Sequence, residues 1–310
     1  MVRSIDELKN KLKILKETKD WSLKSNVLNF LDEHGIKYLV NYNHLNITFD
    51  IYLVDHNVAI DLCYVNVHNE QHLSLYYDSY TIKNMMYEKA IKCKELKIHH
   101  IFIWDYIWSS ITKRAVIQNL ILNCCNKSKI KIYARNTYIK VEKAYDVREF
   151  FHKNNVQGYR VAKHAISLYD KKTNEMVMSY AIGHAYFGKG KYDLEIARGA
   201  CKLGCYVIGG ASKLWKYIIT EYAPNKSIVY YVDLNFYNGR SLDKLCEQFN
   251  DMQYVTSKSS FKNWFVKEQI LRNRDPMHHK EIQQLIQDGL VKTCYDAGSL
   301  VYVFDKNHKI

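Results

Sequence analysis

A mixed α/β (α+β) fold in two domains is what this 310-residue sequence predicts, and three observations carry the prediction. The first is length, since a chain of this size divides into two domains that each bury a core. The second is a pair of runs at 47–54 and 58–65, rich in β-branched and aromatic residues and separated by the polar turn Asp55-His56-Asn57. Such a pair reads as a hairpin. The third is helical spacing shortly after it, with Ile82, Met85, Met86, Ala90, Cys93 and Leu96 recurring on one face of residues 81–96.

In chain order, residues 1–20 read as a charged helix and 25–34 as a second one that ends at Gly35. The hairpin follows, then a polar loop over 68–79, the helix over 81–96, a buried strand over 98–104 and an apolar helix over 112–124. Helix, hairpin, helix, strand and helix together make a compact α/β unit. Residues 127–141 are basic and strand-like. From Ala144 a new pattern starts: a helix, Gly158, strands at 165–169 and 175–182, and a glycine-containing loop over 183–191. The expected layout is a first domain over 1–130, a connector over 131–143 and a second domain over 144–310.

The formal net charge is +13 and the sequence pI about 9.1. That excess suits a polyanionic partner. The charge is spread along the chain without a basic tail, so a solvated surface accounts for part of it. Abundant Tyr, Asn, Ile and Lys with only two prolines is also what an AT-rich genome encodes. The eight cysteines form no CxxC pair and mostly sit in apolar runs, which points to reduced core thiols rather than disulfides or a zinc site. No signal-peptide pattern opens the chain and no apolar run approaches 18 residues, so a cytoplasmic protein without membrane contact is expected.

The chemistry centres on Asp50, Asp61 and Lys89. Each hairpin run carries one carboxylate among apolar neighbours. If Val54 pairs with Ala59, Asp50 faces Cys63 and Asp61 is its diagonal neighbour on the same face. A three-residue loop instead puts the acids on opposite faces. Lys89 lies two turns from Ile82 and two from Leu96, inside the apolar stripe, where a lysine calls for a partner. Two strand carboxylates and an inward lysine are what metal-dependent phosphodiester cleavage uses: oxygen ligands for Mg²⁺ and an ammonium that orients or activates water. A buried salt bridge beside two strand-end aspartates is the other reading of the same residues.

Phe49-Asp50-Ile51-Tyr52, Ala59-Ile60-Asp61, His68, Lys89-x3-Cys93 and Ile98-x2-Ile101-Phe102, in that order, resemble the PD-(D/E)XK nuclease superfamily and a phage-encoded branch of homing endonucleases within it. The resemblance implies Asp50 and Asp61 as metal-binding acids and Lys89 as the helix-borne lysine of some members. It also implies catalytic His68 after the second strand and Trp108 as the terminal tryptophan. Some positions depart from the pattern. Lys24 or Ser25 stands where an early glutamate is expected, Asp61 replaces the usual glutamate and is one methylene shorter, Cys63-Tyr64 replaces Asn-Gly, and Val67 precedes His68. An impaired centre is one consequence to weigh.

In the second half, the apolar run 205–208, the small-residue turn Gly209-Gly210-Ala211-Ser212-Lys213 and an amphipathic helix to Tyr222 offer free backbone N–H groups to an anion. With the strand over 228–232 and Leu242-x2-Leu245-Cys246-x2-Phe249, this layout resembles the GNAT acyltransferase fold, whose comparable turn cradles the coenzyme A pyrophosphate. Gln157-Gly158, Leu168-Tyr169, Glu195-x2-Arg198, Asp233 and Tyr295-Asp296-x-Gly298 also resemble the C-terminal half of the same phage nucleases. The Gly-Gly turn has a purely packing reading as well, and Glu195/Arg198 a reading as an ordinary helix pair.

The stretch 258–274 mixes aromatics with Lys262, Lys267, Arg272 and Arg274, bases that can neutralise phosphates. A solvated amphipathic helix is its bland reading. The leading expectation is therefore a Mg²⁺-dependent double-stranded DNA endonuclease of phage homing type, located in the host cytoplasm, with a homodimer open as its assembly. The alternatives are an acyltransferase that uses a coenzyme A derivative on DNA or protein, and a catalytically dead protein kept for DNA binding or host interaction.

Overall fold

The computed structural model describes residues 23–186, 190–249, 251–258, 262–266, 269–272, 284–285, 287–288 and 290–305; the helix expected over 1–20 lies outside them. The architecture is mixed α/β. Two compact units share the chain: Met1–Ser110 with Leu234–Phe236 and Ser259–Gly298, and Ile111–Asp233 with Tyr237–Lys258 and Ser299–Ile310. The linear boundaries at 130 and 144 differ from this division, because local sequence patterns do not register a chain that returns to an earlier unit.

In the first unit, helix α1 (Leu23–Glu33) buries Leu23, Val27, Phe30 and Leu31 at helical spacing. It stops at Gly35, whose φ of 56° suits a residue without a side chain. A four-stranded sheet follows in the order β1 (Leu39–His44), β2 (Ile47–Leu53), β3 (Val58–Cys63), β4 (His99–Trp104). β1, β2 and β3 form an antiparallel meander, and β4 is parallel to β3. A parallel neighbour needs a crossover. The one-turn helix Glu70–Leu73 and α2 (Ser79–Glu95) supply it. Asp78 caps α2 by accepting the Thr81 N–H at 2.8 Å. α2 buries Ile82, Met86, Ala90 and Cys93, and Cys93 joins a core cluster with Ile47, Phe49, Ala59 and Ile98. Every residue of β3 is buried, as a central strand covered on both faces requires.

The hairpin closes at Leu53↔Val58, not at Val54 and Ala59. The loop is still four residues long but is shifted by one to 54–57, and its last residue, Asn57, is held at φ 53° with its amide donating to the Lys97 carbonyl at 3.0 Å. Asparagine tolerates this left-handed conformation. Within the stretch read as either DNA-contacting or an amphipathic helix, the described residues form strands rather than a helix, Lys262–Val266 pairing antiparallel with both Gln269–Arg272 and Lys292–Tyr295. Its run of Trp264, Phe265 and Val266 favours a strand over a helix.

In the second unit, α3 (Ile111–Cys124) leads to β5 (Ile130–Tyr133) and β6 (Thr137–Lys143), so the segment read as a connector supplies two strands. α4 (Arg148–Asn154), β7 (His164–Asp170), β8 (Met176–His184), β9 (Leu194–Cys201), β10 (Cys205–Ile208), α5 (Gly210–Tyr217), β11 (Ile228–Asp233), α6 (Arg240–Gln248) and β12 (Met252–Lys258) follow, then a last strand, Ser299–Phe304. Seven strands form one sheet in the order β12, Ser299–Phe304, β11, β9, β8, β7, β6. The last strand is inserted between β12 and β11, and each of its residues is buried. β9 and β11 are parallel, pairing only over Leu194–Ile196 and Ile228–Tyr230. β5 and β10 form a separate parallel ribbon.

Candidate active site

The site begins with the β2–β3 register. Ile51 pairs with Ile60, so one residue further along Asp50 stands directly across from Asp61 on the same face, closer than the expected diagonal. Side chains take over the ladder there. The Leu62 N–H donates to Asp50 Oδ2 at 2.7 Å, and the Asp50 N–H donates to Asp61 Oδ1 at 3.3 Å. Asp50 Oδ1 hydrogen-bonds to no described residue.

Lys89 enters from α2. Its ammonium forms an ion pair with Asp61 Oδ2, donates to the Thr48 carbonyl at 2.6 Å and sits 5.1 Å from the centre of the Phe49 ring. β4 contributes His100, whose Nε2 lies 2.9 Å from the same carboxylate oxygen. Burial alone would raise the Asp61 pKa, but the hydrogen bond and charge of His100, joined by Lys89, outweigh it and hold the carboxyl at about 2. His100 is buried, and burial pulls its pKa below the usual histidine value despite Asp61. Its Nδ1 has no partner. A neutral ring with its proton on Nε2 leaves only a lone pair unsatisfied, whereas a charged ring would bury an unpaired N–H.

Around this cluster, Cys63 follows Asp61 on the same face, and burial with the nearby Asp61 and Asp50 pushes its thiol far up, so it offers no thiolate. Asp105, just past β4, accepts from the Tyr106 N–H at 2.7 Å and the Val65 N–H at 3.2 Å. His68 bonds to the Tyr64 backbone, with Nδ1 3.0 Å from its nitrogen. Burial lowers its pKa, while Asp50, Asp61 and Asp105 act in the opposite direction. Where the resemblance expects an early glutamate, the Lys24 backbone lies beside the Tyr64 hydroxyl. Trp108 is buried against Phe30, ring centroids 6.2 Å apart, and serves the core.

Sequence reasoning missed His100 and Asp105. Beside His99 in the apolar run 98–104, His100 reads from sequence as an ordinary strand residue. The argument made for Lys89 applies to it equally, because a polar group inside an apolar run needs a partner. Asp105 carried no such signal, sitting at a helix start where an acid is common.

Among the described residues, no group of three or more His, Cys, Asp or Glu side chains is arranged to hold a metal ion. Mg²⁺ usually keeps several waters and takes one or two carboxylates. Asp50, with an uncommitted oxygen, and Asp61 beside it fit that limited demand. Among the described residues no helix is long and apolar enough to cross a membrane.

The turn at 209–213 is built differently. Gly209 caps α5 with φ 75°. A Cβ on Gly210 would lie 2.7 Å from Met178 Sδ and 2.8 Å from Val207 Cγ1, so this glycine is needed for packing and its missing side chain faces the core rather than a ligand's path. The Lys213 ammonium donates to the Ala134 carbonyl at 2.9 Å and to Thr137 through both its carbonyl and its hydroxyl. Burial first and the charge of Lys171 second lower its pKa. Ala211 and Ser212 remain half-buried.

Glu195 and Arg198 lie on β9, not on a helix. Glu195 is buried, paired with Arg160 at 2.5 Å and bonded by the Tyr186 N–H at 2.9 Å. Arg198 Nε donates to the Gly158 carbonyl at 3.0 Å, and the Gln157 amide to Asp233 at 2.6 Å. Gln157, Gly158, Glu195, Arg198 and Asp233, part of the second resemblance, thus lie on or hydrogen-bond to β9 and β11. Of the four proposed DNA contacts, Lys262 and Arg272 lie on paired strands, while Lys267 and Arg274 lie outside the described residues. No protein-family model matches the chain, and no curated protein matches it.

Proposed function

We propose that the protein is a Mg²⁺-dependent endonuclease acting on double-stranded DNA, of the PD-(D/E)XK type. One observation carries the reading: the two strands of one hairpin and a helix further along the chain bring Asp50, Asp61 and Lys89 to one place. The α1-β1-β2-β3-α2-β4 order, with an antiparallel meander and a parallel fourth strand, supports it as well. When bound, magnesium would polarise the phosphodiester and lower the pKa of the attacking water. The protein's own groups prepare for that. The Leu62 N–H fixes Asp50 and leaves its other oxygen available. His100 and Lys89 hold Asp61 ionised through Oδ2. Lys89, half-buried, keeps a cation beside the carboxylates, where it can orient a water or a phosphate oxygen.

The test is nicking of supercoiled plasmid with Mg²⁺ or Mn²⁺. Wild type should nick, and Asp50→Ala, Asp61→Asn and Lys89→Met should not. A wild type that binds DNA in a salt-sensitive way but never nicks would establish the decayed-nuclease alternative.

A second reading, acyl transfer in the other unit, is favoured by one feature: parallel β9 and β11 pair over only three positions, so the ladder between these two central strands ends before their carboxyl ends. Ligands commonly bind outside such strand ends. Calorimetry without heat on adding acetyl-coenzyme A would remove it.

A further inference from the structure

The outer face of the β5–β10 ribbon carries exposed aromatics, with cations around them that no acid among the described residues pairs. In this parallel pair Lys131 lies beside Tyr206 and Tyr133 beside Ile208, on the face opposite the buried Cys205 and Val207. Tyr133 and Tyr206 are 48% and 45% exposed. The Arg135 guanidinium sits 5.0 Å from the centre of the Tyr133 ring, and Lys171 reaches the Arg135 carbonyl at 3.1 Å. Residues 127–143 hold six basic side chains against the single acid Glu142, and that acid is taken by Lys140 at 2.9 Å and the Tyr169 hydroxyl. Asp170, the acid next to Lys171, accepts from the Lys172 N–H and the Thr173 hydroxyl. Lys131, Arg135 and Lys171 form no ion pair with any described residue.

We propose that this face binds a nucleic-acid strand, with phosphates on Lys131, Arg135 and Lys171 and bases on Tyr133 and Tyr206. Clustered cations without counter-charge favour a polyanion. Aromatic planes set among them suit bases, which stack regardless of sequence, better than an acidic peptide or a lipid headgroup. The inference goes beyond the nuclease reading and uses none of Asp50, Asp61 or Lys89.

The experiment is fluorescence anisotropy of the full chain with a labelled single-stranded DNA in EDTA, so that binding is read apart from cleavage. The Lys131→Ala/Arg135→Ala/Lys171→Ala variant should flatten the log–log salt slope by about two units, at roughly 0.7 per phosphate contact. Tyr133→Ala/Tyr206→Ala should weaken binding at least about fivefold and leave the slope unchanged. Circular dichroism should show both variants folded, since the replaced side chains are exposed. Wild-type affinity and slope in both variants would overturn the proposal. Displacement of the DNA by polyglutamate of equal charge as readily as by unlabelled DNA would also overturn it. A chain that binds this way yet never nicks would remove the nuclease reading and leave this one standing.

Discussion

The Asp50–Asp61–Lys89 cluster and the 209–213 turn look alike in sequence, as polar or small residues set against apolar runs, yet they spend their polar groups differently. In the turn, Lys213 is used up on oxygens of Ala134 and Thr137, and Gly210 is closed off by Met178 and Val207. In the cluster, Asp50 keeps an oxygen that no described residue engages, and His100 holds Asp61 from behind. A charge fully satisfied by its own chain stabilises the fold. A ligand needs groups whose hydrogen-bonding capacity is left over.

The strongest way to break this comparison is Asp61→Asn. The amide keeps the shape but loses the charge that Lys89 and His100 surround, so Mg²⁺-dependent nicking should fall by about 100-fold or more, comparable to losing a key electrostatic group in other active sites. Plasmid nicking at matched protein concentration checks it. Persistence of wild-type activity would mean the cluster is only a salt bridge.

Next in size is His100→Gln. If His100 positions Asp61, the Mg²⁺ concentration needed for half-maximal nicking should rise about 10–100-fold, as for other residues that support a metal ligand. A variant that lost activity at saturating Mg²⁺ without a change in that midpoint would point to general damage instead.

The turn makes the opposite prediction. Gly210→Val should destabilise the protein by about 1–3 kcal/mol through overpacking against Met178 and Val207. Urea unfolding reads this directly. Unchanged stability combined with lost anion or coenzyme binding would move the turn into the ligand-binding class.

The smallest effect is in pH. His100 and His68 both have folded pKa values below the unfolded 6.5, held down first by burial. Below that pH the unfolded chain takes up protons that the folded chain refuses. Stability of the metal-free protein should therefore be full above pH 6.5 and decline as pH falls through it. His68→Asn should reduce the decline. A further loss should come as pH drops from about 4 towards 2, when Asp61 is finally protonated.

By itself the sequence determined the elements of the cluster: two strands each with one acid, and a helix that turns Lys89 inward. Periodicity of two and 3.6 sets which face each side chain occupies, and that is local physics. The structure decided the register. The four-residue loop ending in Asn57 places Asp50 opposite Asp61, since a shift of one residue moves a side chain to the other face. It also decided the partners. His100, 39 residues from Asp61, and Lys213, 76 residues from Thr137, meet them only through tertiary packing. Whether a polar group is left over for a ligand depends on such contacts between residues far apart in the chain, so it was legible only once the strands and helices had been packed.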